Sequence, residues 1–359
     1  MDNDIVMRYV LITKARSHAR QHMATSLEDV AKMAGVSIST VSRALHRPDM
    51  VGAATRERIQ AAVNVLGYIP QGAGRALVSR KTHTVGAVVP RIGVSAFGET
   101  VEALRQGLGE ANYTLLLAQP PAAEQTDPRP LRTLIERGVD AIVLLENAYP
   151  SSWQALIRQN DLPLVSIWSD STLAAPGAIG FDNYASGKLA AEHLLHLGHR
   201  EFAYISGRLA VNIRARQRYQ GLLETFAASG GQLPRQCIIE TDYGFQQGYE
   251  AAATLLARNT SFSALICGND YLALGAMSYL RSTGLRIPED ISVVGFNNSE
   301  FSSYIRPSLT TVHFPSAEIG TLAAQALMQV LTKNAAMPDA LMLPTPLIKR
   351  DSTSPHIPG

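Results

Sequence analysis

Residues 26–45 read SLEDVAKMAGVSISTVSRAL, and their spacing decides the first part of the fold. Ser26 followed three residues later by Asp29 is a variant capping box: the hydroxyl accepts a backbone N–H of the first turn, and the carboxylate favours the helix N-terminus. Leu27, Val30, Ala31 and Ala34 then fall on one helical face. Gly35 can take a positive φ, which suits a tight inter-helix turn, and Ser37 can cap a second helix running to about Leu45. A third amphipathic helix, from about Ala54 to Leu66, places Ile59, Ala62, Val63 and Leu66 on one stripe, with Gly67 as its stop. The second helix sorts by side: Val36, Val41, Ala44 and Leu45 face inward, and Ser37, Ile38, Ser39 and Arg43 face outward. That is the layout of a helix-turn-helix, whose second helix enters the DNA major groove while the first crosses the backbone. A purely structural helical hairpin has a similar apolar pattern.

Charge separates the two readings. The chain has 359 residues and a net charge of +2, but residues 1–81 hold 12 Lys/Arg against 6 Asp/Glu. The head is therefore +6 and the remainder −4, and a basic head on an acidic body suits contact with a polyanion. Upstream, residues 1–23 lack caps and amphipathicity. They read as a disordered arm, or as a start placed too early with Met23 the true first residue. Downstream, QGAGRALVS (71–79) carries two glycines that weaken a helix by about 1 kcal/mol each, so it is expected to order only against a partner.

From Thr84 onward, apolar runs at 85–89, 113–118, 141–145, 162–168, 202–206, 237–239, 264–268 and 292–296 read as buried parallel strands. Amphipathic helices at 97–111, 184–197, 214–229, 246–258 and 271–283 alternate with them. Such alternation implies doubly wound α/β units, and two in series leave a cleft where ligands bind. No run of apolar residues is long enough to span a membrane, no signal peptide opens the chain, and two cysteines make no disulfide scaffold. A cytoplasmic location follows as the expectation. The set His193, His196, His199 fits a helix and its stop better than a metal site. Neither a P-loop nor a nucleophile elbow is present, and Gly72-Ala73-Gly74 follows no strand, so the expectation is no enzyme, no cofactor and no metal.

The stretch 26–45, followed by TRERIQAAVNVLGYIPQGAGRAL (55–77), resembles the N-terminal domain and hinge of the lac-repressor family of bacterial transcription regulators. HLLHLGHREFAYISG (193–207), RYQGL (218–222), CGNDYLALGAM (267–277), IPEDISVVGF (287–296) and RPSLTTVHFP (306–315) extend the resemblance over about residues 24–350. It implies an all-α helix-turn-helix head (24–68), a hinge (69–82), and a periplasmic-binding-protein-like core (83–359) of two doubly wound α/β subdomains. These are expected at about 83–182 with 314–343, and about 183–313 with 344–359. It implies a homodimer on pseudo-palindromic operator DNA, released or recruited by a small-molecule effector. Ser26, Ser37, Ile38, Ser39 and Arg43 are then the DNA-binding residues of the head. In the hinge, Leu77 is the residue that wedges into the minor groove, with Arg75 beside it. The family's pocket positions fall on Phe97, Asp170, Asn212, Arg214, Arg218, Tyr243, Asn269 and Asn297, with Phe97 and Tyr243 stacking on the ligand and Arg218 and Asn269 bonding its hydroxyls or carboxylate. The tail after Asp351 has no leucine heptads, so a dimer rather than a tetramer is expected.

Two departures matter. Gln71 and Gly74 stand where the family's hinge usually has Asn and Ala. Asn297 stands where sugar-binding members commonly carry Asp, in a chain that adds Arg214, Arg216 and Arg218 nearby. Losing a carboxylate and gaining guanidinium groups suits an anion. AIVLLENAYP (141–150) with LPLVSIWSD (162–170) also resembles the gluconate-repressor branch, so a sugar acid is the expected effector, with a neutral sugar or nucleobase-like ligand as alternatives. Rival classes are a periplasmic sugar-binding protein, which would lack residues 26–81, and an enzyme on the same sheet.

Overall fold

The computed structural model describes residues 25–69, 81–89, 97–119, 127–145, 150–169 and 175–357. The expected arm (1–23), the hinge residues Arg75 and Leu77, and Asp170 lie outside the described residues. The chain divides into two units between Thr82 and His83.

The first unit is built by the signals at 26–67. Helix α1 (Leu27–Ala34) starts at a reciprocal capping box: Asp29 N–H donates to Ser26 Oγ, and Ser26 N–H donates to Asp29 Oδ2. It ends at Gly35 with φ 64°, the left-handed stop that glycine adopts without steric cost. Helix α2 (Ile38–His46) is capped by Ser37, and α3 (Ala53–Leu66) stops at Gly67, φ 59°. Val30, Ala31, Ala34, Val41, Ile59 and Ala62 form the buried core, flanked by Val36, Ala44, Leu45, Val63 and Leu66. Every residue expected inside is there.

The second unit holds two six-stranded sheets. The first contains β1 (Thr84–Val88), β2 (Thr114–Ala118), β3 (Ala141–Leu145), β4 (Leu164–Ser169), β5 (Ala178–Gly180) and, late in the chain, β11 (Leu341–Met342), in the order β11-β5-β4-β3-β1-β2. Its helices are α4 (Phe97–Glu110), α5 (Arg129–Glu136) and α6 (Ser151–Gln159). After α7 (Asn183–His196), the second sheet is built from β6 (Phe202–Ser206), α8 (Ile213–Ala228), β7 (Ile238–Glu240), α9 (Phe245–Ala257), β8 (Ala264–Cys267), α10 (Asp270–Ser282), β9 (Ser292–Asn297) and β10 (Thr310–His313). Helix α11 (Ser316–Lys333) returns to pack on α4 and β4, and β12 (Leu347–Ile348) closes the order β12-β10-β9-β8-β6-β7. All pairings are parallel except β12 on β10.

Three helix pairs carry the layers, and glycines let their backbones touch. A Cβ on Gly320 of α11 would collide with Thr100 O of α4, and one on Gly107 would meet Ala324 Cβ. The same holds for Gly187 against Arg218 O and Gly221 against Tyr184 O, which bring α7 and α8 together. One apolar cluster runs through both sheets, from Val85, Val143 and Ile167 to Tyr204, Ile266 and Phe296. No helix among the described residues is long and apolar enough to cross a membrane.

Candidate functional site

The head presents one exposed surface of α2. Ser39 and Arg43 are exposed, while Val41, two residues from each and on the opposite face, is fully buried. Ile38 is 48% exposed, an apolar side chain standing in water at the start of the helix. Ser37 is occupied by the helix itself: its Oγ accepts from Thr40 N at 3.2 Å and lies 2.9 Å from Ser39 Oγ. Ser26 is likewise spent on its capping box. Both serines sit at helix N-termini, where backbone N–H groups and the helix dipole favour a phosphate.

In the second unit the polar residues gather at the carboxyl ends of the strands. Helix α8 starts at Asn212, whose Oδ1 accepts from Ala215 N, and α10 starts at Asn269, whose Oδ1 accepts from Leu272 N. Both asparagines are therefore helix caps first, and both helices direct positive dipole ends to this region. Arg214 and Arg218 lie four apart on α8 and share a face. The Arg214 guanidinium sits 5.2 Å from the Phe97 ring centre, joining the second sheet's helix to the first residue of α4. Arg218 is 4% exposed. Its Nη1 donates to Asn183 Oδ1 at 2.7 Å, and its Nη2 donates to the Tyr243 hydroxyl at 3.2 Å and Gly268 O at 3.4 Å. Its face lies over Phe296 and Phe314 at 5.3 and 5.6 Å. All these partners are neutral, so Arg218 is a buried cation with no carboxylate against it among the described residues.

An aromatic cage completes the site. Trp168 stands edge-on to Phe97 (4.8 Å), Phe181 (5.3 Å) and Phe314 (6.0 Å), and its indole N–H donates to Thr100 Oγ1 at 3.0 Å. Its backbone has φ 58°, at a register shift between β4 and β5. A left-handed tryptophan costs on the order of 1–3 kcal/mol and persists only where its surroundings over-determine it. Asn297 and Asn298 also have positive φ (107° and 56°). They are braced by Asp270, fully buried, which accepts from Ser299 N and Thr311 Oγ1 at 2.6 Å each. Burial pushes that carboxyl up to about 7, against its hydrogen bonds and Arg350. Arg350 Nη2 donates to Asn298 Oδ1 at 2.6 Å.

Of the expected pocket residues, Phe97, Arg214, Arg218, Asn212, Tyr243, Asn269 and Asn297 all come to these strand ends. Tyr243 arrives by its hydroxyl, which takes bonds from Arg218 and, at 3.5 Å, Asn212 Nδ2. Sequence reading missed Trp168, Phe181, Phe296, Phe314 and Asn183. Each is an aromatic or polar residue at or just past a strand end, a signal indistinguishable in sequence from ordinary core. The three histidines have local partners: His193 Nε2 lies 3.1 Å from Thr353 Oγ1, His196 Nδ1 lies 2.7 Å from Glu192 O, and His199 bonds Ser263 and Ser354 O.

A helix-turn-helix head followed by a two-sheet core with a polar, aromatic-lined site at its strand ends defines a ligand-responsive DNA-binding regulator. Comparison with known proteins specifies it. Residues 26–71 match the model of bacterial regulatory proteins, lacI family, and 191–353 match a periplasmic binding protein-like domain. The chain is 31% identical to the ribose operon repressor of Escherichia coli K12, over 92% of this chain and all of the relative. It is 30% identical to the HTH-type transcriptional repressor PurR of Erwinia tasmaniensis, over 92% and 97%. Its fold matches the crystal structure of the lac repressor dimer bound to operator and the anti-inducer ONPF with a TM-score of 0.79 and 27% identity, covering 92% of this chain and all of that one. The chain belongs to the lacI family of bacterial regulatory proteins, and it is a DNA-binding transcriptional regulator, not an enzyme.

Proposed function

We propose that the protein represses an operon for uptake or breakdown of a sugar acid, and that the acid itself, of which gluconate is the model, is the effector. The observation that carries this reading is Arg218, a buried guanidinium whose hydrogen-bond partners among the described residues are all neutral. A buried charge left without a counter-charge is costly, and an anionic ligand removes that cost. Asn297, where a carboxylate would repel an acid, and the N-termini of α8 and α10 add to the same preference. Phe97, Trp168 and Phe314 supply apolar faces for the carbon chain. We assign Asn212, Arg214, Tyr243 and Asn269 to the same site, and Asp170, outside the described residues, by resemblance alone.

On DNA, Ile38, Ser39 and Arg43 read base edges, the N-termini at Ser26 and Ser37 hold phosphates, and Arg75 and Leu77 of the hinge occupy the minor groove. The repressor acts as a homodimer in the cytoplasm on a pseudo-palindromic operator, and ligand between the subdomains alters the spacing of the two hinges. Exposed aromatic side chains on α9, Phe245 and Tyr249, with Tyr271, Phe301 and Tyr304 nearby, support self-association.

Calorimetric titration of the full-length protein with gluconate, and with glucose as the neutral control, tests the effector. Gluconate binding with no heat from glucose is the expected result. Glucose binding in its place supports the second reading, a neutral sugar, which the ribose operon repressor among the relatives favours.

A further inference from the structure

Positive φ values outside glycine fall at helix stops, such as Asn112, Asn259 and Asn334, and at the strand-end site, in Trp168, Asn297 and Asn298. His83, φ 53°, belongs to neither group: it opens the second unit and leads into β1. Such a backbone is uncommon outside glycine, and strain of this kind persists only where the surroundings over-determine it. Both neighbours of β1 do so. From the β2 side, Thr114 N donates to His83 O at 2.8 Å, and the Tyr113 ring, 5% exposed, stands 4.9 Å from the imidazole at 49°. From the β3 side, His83 N donates to Asp140 Oδ2 at 2.8 Å, while Asp140 N donates to Thr84 O at 2.7 Å. The N–H, the carbonyl and the side chain of one exposed residue are each held by a different group of the core.

The Asp140 carboxylate and the Tyr113 ring lie outside the strand ladder, whose register begins at Thr84 with Thr114 and Val85 with Ala141. Water can satisfy an exposed N–H, so the carboxylate serves to fix the direction of the chain rather than to rescue a donor. That direction has a use upstream, because residues 69–82 are the expected hinge between the DNA-binding head and this core. Once the hinge is ordered on the duplex, the slack between head and core is set at its junction with the core. A residue freed there adds up to about 3.3–3.6 Å of reach, or about 7 Å over two protomers. One base pair advances a duplex by about 3.4 Å and turns it by about a tenth of a turn. One freed residue per protomer therefore absorbs a change of one or two base pairs that a pinned exit does not.

We propose that Asp140 and Tyr113 clamp His83 as a fixed exit for the hinge, and that these positioning residues set how strictly the repressor discriminates the spacing of two operator half-sites. The proposal rests on the reading of a homodimer on a two-half-site operator, and not on the identity of the effector.

The test uses the full-length wild type, His83→Gly, Asp140→Ala and Asp140→Asn in gel shifts. The probes are a duplex selected by the wild type from random-sequence DNA, the same duplex with one or two base pairs inserted or removed at its centre, and a single half-site. Respacing is expected to cost the wild type at least about tenfold in affinity. His83→Gly and Asp140→Ala are expected to shrink that loss to within about twofold. Asp140→Asn keeps an oxygen that accepts from His83 N, so its spacing profile is expected to match the wild type. Glycine takes the left-handed backbone without steric cost, so His83→Gly carries the test even where Asp140→Ala folds poorly. Variants that keep the wild-type spacing profile, or that lose affinity equally for every duplex, overturn the clamp. So does a wild type that prefers the full duplex to the half-site yet tolerates respacing. A wild type that binds the half-site as tightly as the full duplex overturns the homodimer reading itself, and the proposal with it.

Discussion

Arg218 is the residue on which the ligand reading turns. Its guanidinium is gripped by Asn183, Tyr243 and Gly268 and sandwiched over Phe296 and Phe314, so its position is fixed before any ligand arrives. Replacing it by Gln removes the charge and keeps a donor. Hydrogen bonds to charged groups contribute about 1.5–3 kcal/mol, so calorimetry should show effector affinity falling by about ten- to a hundredfold. An unchanged affinity would place the acid elsewhere. His193 offers a test of a different kind. Burial, with Lys349, His199 and His196 adding repulsion, pushes it down to about 4. The unfolded chain therefore binds a proton between about pH 6.5 and 4 that the folded chain refuses, and stability falls as pH drops through that window. Comparing the wild type with His193→Gln across this range isolates the residue, with a difference on the order of 3 kcal/mol between the two ends. Parallel stability curves would show that His193 is not the group responsible. His199, also lowered by burial, adds to the same trend.

At the scale of elements, the helix crossings set how precisely the site is held. Gly320→Ala forces a methyl into Thr100 O between α11 and α4, and overpacking of this kind costs about 1–3 kcal/mol. Denaturant melts of this variant should show that loss, and a melt identical to wild type would mean that the two helices have room to part. In the head, Ser37→Ala removes the cap of α2 and should cost about 1 kcal/mol, read as a lower melting point of the isolated transition of that unit. Caps and stops were the most legible features of the sequence: Ser26, Asp29, Gly35, Ser37 and Gly67 each do what their chemistry requires, because capping is decided within four residues. The long buried strands were legible for a similar reason, since a parallel strand covered on both faces is an unbroken apolar run. The short strands β5, β10, β11 and β12 and helices α5, α6 and α11 were not read. Strands of two to four residues have no period to detect: β7 and β8 show as unbroken apolar runs, β5, β10 and β12 lie in none as long, and β11 is held to β5 by a partner more than 160 residues away in sequence. The aromatic cage was unreadable on the same ground, because Trp168 meets Phe314 only once both sheets have formed. Asn212 and Asn269, expected at the ligand, cap the helices that start there, a role the sequence reading did not assign to them.

At the scale of the molecule, the proposed function couples an operator site and an effector site on separate units of the chain. Operator binding by a head that carries +6 over residues 1–81 should weaken steeply with salt, with a logarithmic slope of about −0.9 for each phosphate neutralised. Leu77→Ala should weaken operator binding and leave effector binding intact, as read by gel shift and calorimetry side by side; equal operator affinity would remove Leu77 from the minor groove. Coupling itself is reciprocal and for working switches amounts to about 1–3 kcal/mol. The decisive measurement is the affinity of the full-length protein for a selected operator duplex at fixed salt, with and without saturating gluconate. The account predicts a change of about 5- to 150-fold between the two titrations. Identical curves from a protein that binds both the duplex and gluconate would contradict it.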